Sequence, residues 1–360
     1  MRVGRSVLLA LAAVVICAAP GSAARADAPS GSRVDAQDCV ASPVPDRRVA
    51  ACTAVLDQTT LPPKSLAEAR YYRGLARLDL RAPDAAAVDL SAALQADPDL
   101  WPARWVRADL LVSRRDYDDS VADWTALIRQ KPDFVRLYAN RGAALDNEGR
   151  GTEAIADFTT VIERAGGKPA SGAALLSRAV AFEGMHQYDR ALTDLDEALK
   201  RDGTSPDIYF THGRVAYLIG NDAMALADFA KTATLHPGNS YYLLWRYLAE
   251  LRTGRDAATD LREGAGQIDP GVWPGPIIRV LLGDLAPGDV KPPAFPVRWS
   301  AADQAAGAHC ELDFYQAEVH LLRGERDQAH QLFQAAVDTG VKEYVEYRAA
   351  TMELGRMVAQ

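Results

Sequence analysis

The side chains most often used in catalysis or metal binding are sparse in this sequence and are not grouped. No two of its six histidines have the H-E-x-x-H spacing of a zinc site, and the adjacent His309 and Cys310 cannot easily face one metal ion. The acidic run at 116–119 lacks the later glutamate of a calcium loop. Nucleophile-elbow and phosphate-loop motifs are missing too. The sequence therefore predicts no enzyme, no metal site and no cofactor.

The cysteines are the remaining candidates for redox chemistry. Cys39 and Cys52 lie near the start of the folded part, and in an oxidising compartment they could form a disulfide that holds the leader against the first helix. The bonded and the free state are both open at this point. Cys310 has no partner left, and we expect a small buried apolar residue there; the alternative is a reactive or intermolecular thiol.

Residues 1–26 have the pattern of a secretory signal peptide. Arg2 and Arg5 precede an apolar run at 7–19, and Ala24-Arg25-Ala26 gives the small-x-small cleavage pattern. A helix of that run would be about 20 Å long against a hydrocarbon core of about 30 Å, which disfavours a permanent anchor. Lipid attachment at Cys17 is disfavoured because Ile16, which is not small, precedes it. We expect a periplasmic protein, cleaved near Ala26, without an integral membrane span.

The charge balance argues against a nucleic-acid partner. The chain has 40 basic and 48 acidic residues, a net charge of −8. The first 26 residues contain three arginines and no acid, so the remainder has a net charge of −11. Nucleic-acid grooves need a basic stripe, whereas an acidic surface favours basic protein partners.

The strongest regularity in the chain is a repeat with a period of about 34 residues. One aspartate recurs in each period, with a single longer step between the third and the fourth, and an arginine precedes each of the first four at a constant offset. In the fifth unit the arginine is displaced by two places, to Arg214. The aspartates are Asp89, Asp123, Asp157, Asp194 and Asp228, and the regular arginines are Arg73, Arg107, Arg141 and Arg178.

Each unit contains two helical patterns separated by a short turn. Small residues such as Gly74, Gly142 and Gly213 allow the first helix (A) to approach the second helix (B), where a larger apolar residue fills the adjoining space. Proline or glycine then stops helix B, as at Pro132 and Gly166. One unit cannot bury its apolar face alone, so the units must stack.

The period, the small residue in helix A, the alanine and aromatic residue in helix B and the closing Asp-Pro resemble the tetratricopeptide repeat (TPR). The resemblance implies an all-α, right-handed superhelical solenoid of antiparallel helix pairs, with an irregular proline-rich insertion before the last pair. The predicted segments are a flexible leader (27–45), an array (46–269) with repeats at about 67–100, 101–134, 135–171, 172–205, 206–239 and a degenerate 240–269, a divergent helix and connector (270–309), and a C-terminal pair with a capping helix (310–360).

The TPR resemblance also implies a protein-binding surface. In this family helix A lines a concave groove, and we expect about half of the corresponding positions to be exposed. Aromatic residues among mixed charges suit a protein or peptide partner. The positions are Glu68, Tyr71, Leu75, Trp105, Asp109, Arg136, Asn140, Asp146, Asn147, Glu183, Phe210, Arg214 and Tyr217. Only Arg136 and Asn140 fit the clamp that reads chaperone C-termini, so a co-chaperone is not expected.

The recurring arginines and aspartates have two interpretations. They form either a basic line for an anionic peptide or structural ion pairs within and between units. Equal recurrence of both charges favours the structural interpretation. It predicts that Arg107→Ala lowers the melting temperature and leaves ligand binding intact.

The Trp-Pro break and the returning Cys-Glu-x-x-Phe-Tyr-x-Ala-Glu pattern at 310–318 resemble envelope proteins of the new-lipoprotein-I type. That resemblance implies an adaptor between periplasmic proteases and cell-wall hydrolases. We therefore expect a non-enzymatic scaffold for envelope proteins. The alternatives are a regulatory docking subunit that presents substrates to such an enzyme and a homo-oligomer; a catalytic domain within 270–309 is disfavoured because the segment is too short.

Overall fold

The computed structural model describes residues 30–58, 60–166, 169–293 and 301–359. In these ranges every regular element is a helix, and the helices pack consecutively in pairs, which confirms the predicted all-α TPR fold. The predicted signal peptide (1–26) and residues 294–300 of the predicted connector lie outside the described residues. No helix in the described part of the chain has the length and apolar character needed to cross a membrane. The chain divides into two compact units, Met1–Leu110 and Leu111–Gln360.

The first unit begins with two helices joined by a disulfide. α1 lies within the segment predicted to be a flexible leader, so that prediction is wrong for Ser30–Ala41. Cys39 and Cys52 form the disulfide and are buried with Val55 and Ala69. Packing in this apolar cluster stabilises α1, and the sequence pattern of α1 does not predict that contact. The helices are α1 (Ser30–Ala41), α2 (Pro45–Leu56), α3 (Pro63–Asp79), α4 (Pro83–Ala96) and the start of α5 (Trp101–Ser113).

The second unit contains the remaining repeats and the C-terminal helices. α6 ends just before the predicted stop at Pro132, α8 ends at the left-handed Gly166, and α12 ends just before Pro237. The helices are α6 (Tyr117–Gln130), α7 (Val135–Glu148), α8 (Gly151–Ala165), α9 (Pro169–Gly184), α10 (Tyr188–Arg201), α11 (Pro206–Leu218), α12 (Asp222–Leu235), α13 (Ser240–Arg252), α14 (Ala257–Ala265), α15 (Gly275–Leu281), α16 (Ala301–Leu322), α17 (Arg326–Asp338) and α18 (Val345–Ala359), with a short 3-10 helix at Pro287–Asp289.

The two helices of each pair approach closely at the predicted small residues. A Cβ added to Gly142 would lie 2.9 Å from Phe158 Cε1, and one added to Gly213 would lie 2.9 Å from Phe229 Cε1. These contacts are tighter than a methyl group tolerates. The helix-B aromatic residue therefore occupies the space that glycine leaves on helix A, which is the packing that the repeat pattern predicts.

The last three helices continue the stack on α13. α16 starts at Ala301, inside the segment predicted to be divergent. Trp245 of α13 is fully buried and packs against Phe314 and Tyr315 of α16, with ring centroids 5.6 and 6.3 Å apart. This aromatic cluster positions α16 and, through it, the C-terminal pair.

Candidate protein-binding surface

The recurring charges form structural ion pairs, which we call the arginine–aspartate ladder. Arg141 of α7 donates two hydrogen bonds of 2.8 Å to the carboxylate of Asp157 in α8, and a third of 3.1 Å to Thr125 in α6. Arg141 thus joins helix B of its own repeat to helix B of the preceding one. Arg178 makes the same contacts with Asp194 and Thr159, and Arg73 makes them with Asp89 and Thr53. Side chains used in this way are not available to bind an anionic peptide.

The fifth repeat replaces the arginine of the ladder by a histidine. The Nδ1 atom of His212 is 2.6 Å from Asp228 Oδ2. Burial lowers the pKa of His212, but the hydrogen bond and charge of Asp228 outweigh it, so that the pKa lies above its usual value. The sequence interpretation assigned this place to a displaced Arg214. His212 precedes Asp228 by the same offset that separates each ladder arginine from its aspartate, and this offset was the signal that identifies His212 instead.

In the first unit, the predicted binding residues of α3 are accessible. Glu68 is exposed, and Tyr71 and Leu75 are half-buried. In α5, Trp105 is only 7% exposed, and its Nε1 donates to Asp109 Oδ2 at 3.0 Å. Trp105 is therefore a packed residue with an internal partner and not an exposed contact.

The predicted residues of α7 in the second unit are half-buried. These are Arg136, Asn140, Asp146 and Asn147. Asp146 accepts a hydrogen bond of 3.3 Å from Arg348 of the last helix, α18. Burial raises the pKa of the Asp146 carboxyl, and Arg348 opposes that shift. The C-terminal helix of the same chain thus already occupies one predicted binding position.

The predicted residues of α9 and α11 are buried, so their assignment to an exposed groove is wrong. Arg214 and Glu183 form a buried ion pair, with Arg214 Nε 2.7 Å from Glu183 Oε1. Phe210 lies among aromatic rings, 4.8 Å from that of Tyr242. Tyr217 donates a 2.7 Å hydrogen bond to Glu318 of α16. The physical reason is that helices from the end of the chain cover this face, which a repeat-by-repeat pattern cannot predict.

The sequence interpretation also missed a group of buried glutamates on the C-terminal helices. Glu311 accepts hydrogen bonds from Trp273 Nε1 at 2.7 Å and from the Tyr241 hydroxyl at 3.1 Å. Burial, reinforced by the charge of Glu346, raises the pKa of Glu311 to about 8. Burial, reinforced by Glu353, raises the pKa of Glu318 to about 7. These carboxyls are paired mainly with neutral donors, unlike those of the ladder.

A periodic signal for these glutamates exists in the sequence. Glu311 and Glu318 are seven residues apart in α16, and Glu346 and Glu353 are seven apart in α18. Residues seven apart lie on one face of a helix, two turns from each other. All four are buried, at 0–6% exposure. The face of the predicted capping helix that carries Glu346 and Glu353 therefore points inward.

The side chains of the described helices determine which kind of ligand the surface suits. Within the described ranges, histidine, cysteine, aspartate and glutamate side chains form no group of three or more that could hold a metal ion. What the described helices present are aromatic, amide and charged side chains on stacked helix pairs. The fold and this surface define an α-helical repeat protein that offers helix faces to other proteins.

Residues 106–169 and 176–240 match the tetratricopeptide repeat family. These two stretches of the chain therefore carry tetratricopeptide repeats. Proteins of this kind are generally scaffolds for protein–protein interaction and are generally not catalysts.

Solved structures of similar fold agree. A tetratricopeptide repeat protein from Parabacteroides merdae superposes with a TM-score of 0.54 at 14% identity, covering 79% of this chain and 98% of its own. PilW, a widely conserved type IV pilus biogenesis factor, gives a TM-score of 0.48 at 20% identity over 56% of this chain and 91% of its own. PilF of Pseudomonas aeruginosa gives 0.46 at 16% identity over 61% of this chain and 98% of its own. The first of these supports the TPR fold, and identities this low carry no function over.

Proposed function

We propose that this protein is a non-enzymatic scaffold or adaptor that binds protein partners in the bacterial cell envelope. The observation that carries the proposal is the accessible face of α3 in the first unit and of α7 in the second. On α3 that face presents an exposed Glu68 and half-buried Tyr71 and Leu75, and on α7 it presents half-buried Arg136 and Asn140. Aromatic and charged side chains at neighbouring positions are typical of protein interfaces.

Two features support export to the periplasm. Residues 1–26 carry the signal-peptide pattern. Cys39 and Cys52 form a disulfide, and disulfides persist mainly in oxidising compartments. The proposed partner is an envelope protease or a cell-wall hydrolase, in line with the pattern at 310–318.

A pull-down from envelope extract tests the proposal. The bait is the protein with Glu68→Lys and Arg136→Glu, compared with the unchanged protein. Both substitutions reverse a charge on an accessible face, and neither removes a buried apolar group. Val88→Ser on helix B of the first repeat is the matched control, because Val88 is 67% exposed.

The expected result is a protease or hydrolase that the unchanged protein and the Val88 control enrich and the charge-reversed protein loses. Equal recovery with all three baits overturns the assignment of the binding face. Recovery of no protein other than the bait itself overturns the adaptor function and favours self-association. Circular dichroism on each bait shows that the variants are folded.

A further inference from the structure

The last helix, α18, lies across the ends of three A helices of the second unit. Arg348 Nη2 donates to the backbone oxygen of Asp146 in α7 at 3.2 Å. Arg356 Nη2 donates to the backbone oxygen of Leu218 in α11 at 2.5 Å. Between them, the Met352 sulfur accepts a 2.7 Å hydrogen bond from the hydroxyl of Tyr188, which follows α9. We call the receiving surface, formed by Asp146, Gly184, Tyr188 and Leu218, the terminal strip.

The terminal strip is suited to cations. Backbone carbonyls at the C-terminal end of a helix carry partial negative charge, and the Asp146 carbonyl accepts Arg348 in addition to the Gly149 amide, which lies at 3.0 Å. The strip also contains the carboxylate of Asp146, which lies 3.3 Å from Arg348. The two arginines are eight residues apart on α18, and Met352 lies midway. Residues at this spacing share one helix face.

Gly184, at the end of α9, leaves room for Arg348 on the strip. A Cβ built there would lie 2.7 Å from Arg348 Nη1. A larger residue at this place would therefore push the guanidinium away. The Arg348 guanidinium thus packs against a helix end that has no side chain of its own.

An adjoining face of α18 holds it to its neighbours in the chain. Val345, Ala349, Ala350 and Glu353 are buried, and α18 packs against α17 and α16. The side chains that reach the strip are more accessible, at 18% for Arg348 and 41% for Arg356. α18 is therefore held on the terminal strip by long polar side chains that are partly exposed to solvent. Such contacts open more readily than those of a packed core.

We propose that α18 is an internal occupant of the terminal strip, and that the strip binds in trans a partner helix with the same chemistry: two arginines eight residues apart with an apolar residue between them. The inference rests on the proposed function and names the partner's chemistry. α18 competes with that partner, so the full chain binds it weakly until α18 is displaced. A basic partner also matches the net charge of −8 of the chain.

The test uses the full chain and a fluorescent peptide with the sequence of residues 343–359. A linked helix competes at an effective concentration of about 1 mM, so weakening it should strengthen binding of the free peptide. We expect the Arg348→Ala/Arg356→Ala chain to bind the peptide at least about tenfold more tightly than the unchanged chain. A peptide in which both arginines are alanine is the matched control and should bind neither chain.

A third chain, with Gly184→Leu added to the two alanine substitutions, should lose the peptide again because leucine occupies the place of the Arg348 guanidinium. Equal affinity of both peptides, or of all three chains, overturns the proposal. Hydrogen exchange on the unchanged chain gives a second measurement that does not depend on a variant folding. Excess peptide should speed amide exchange in α18, and unchanged exchange there contradicts displacement.

The result of the peptide experiment can be distinguished from the result of the envelope pull-down. Peptide binding at the strip without any captured partner leaves the strip established and the adaptor function unsupported. Capture of the same partner by the unchanged chain and by a Gly184→Leu chain supports the adaptor function and refutes the strip as its site.

Discussion

The regular repeats and the C-terminal helices of the second unit both bury carboxylates, but they satisfy them with different groups. In the repeats, Asp157 and Asp194 each receive a bidentate guanidinium at 2.7–2.8 Å. In the C-terminal helices, Glu311 receives an indole N–H and a phenol, and Glu318 receives a phenol at 2.7 Å. In the described part of the chain Glu318 Oε1 and Glu346 Oε2 accept no hydrogen bond.

Buried carboxylates therefore have two different structural roles in this protein. A charge pair at a fixed offset recurs from unit to unit and specifies how neighbouring units stack. Burial raises the pKa of Glu311 and of Glu318 by more than their hydrogen-bond donors lower it, so the helices that carry them are more stable when these carboxyls are protonated. We expect the stability of the repeats and of the C-terminal helices to respond differently to substitution and to pH.

The largest expected effect comes from breaking the buried pair that links α9 and α11. Arg214→Ala leaves Glu183 buried without its cation, and the expected loss in free energy of unfolding is about 4 kcal/mol. Urea denaturation followed by circular dichroism measures it. Arg150→Ala, which removes a solvent-exposed ion pair with Glu153, is the matched control and should leave the midpoint unchanged. A small loss for Arg214→Ala would show that water reaches Glu183 in the variant.

The second prediction concerns pH. The folded-state pKa values of Glu311 and Glu318, about 8 and about 7, lie above the ordinary glutamate value. Between the ordinary value and the raised one, the unfolded chain releases protons that the folded chain retains. The free energy of unfolding therefore falls as pH rises from 5 to 8, by at most about 1.4 kcal/mol per pH unit for each carboxyl.

The Glu311→Gln/Glu318→Gln chain isolates this effect, because glutamine keeps the hydrogen-bonding shape without a titrating proton. Its stability should change less between pH 5 and 8 than that of the unchanged chain. His212 contributes a decline of the same sign, since its raised pKa favours the folded state below its ordinary value and that gain is lost above the raised one. An undiminished pH dependence in the double variant would assign the decline to His212 or to another carboxyl whose pKa burial raises, such as Glu250.

The smallest effect is expected in the ladder. Arg141→Ala removes three hydrogen bonds and should lower the free energy of unfolding by about 2 kcal/mol. Arg129→Ala on the exposed side of α6 is the control. Both chains should bind the 343–359 peptide as the unchanged chain does. Lost binding with unchanged stability for Arg141→Ala would reverse the structural interpretation of the ladder.

The repeat itself was predictable from the sequence because its contacts are local and recur. Gly142 and Phe158 have the same separation along the chain as Arg141 and Asp157, so one rule identifies both kinds of contact from unit to unit. The same separation along the chain identifies His212 as the partner of Asp228 in the fifth unit. The α1 helix was not predictable in this way, because its stability depends on a single disulfide and on burial against α2 and α3.

The binding surface was predictable only in part. The family pattern selects positions on helix A; Glu68 is exposed and Arg136 is half-buried, and their role in binding stays a prediction. It fails for Phe210, Arg214 and Tyr217, whose neighbours come from residues up to 101 positions away in the chain, such as Glu318. Exposure depends on what else in the chain covers a position, and no local pattern contains that information.

The sequence by itself determined the helix pairs, their period, the small residues that let them approach and the charges that join them, because each of these depends on residues at most about one repeat apart. Only the tertiary structure decided which A-helix faces stay open and which the chain covers with its own last helices. The reason is that burial of Glu311, Glu318 and Glu346, and the contacts of Arg348 and Arg356 with the terminal strip, arise where distant segments meet.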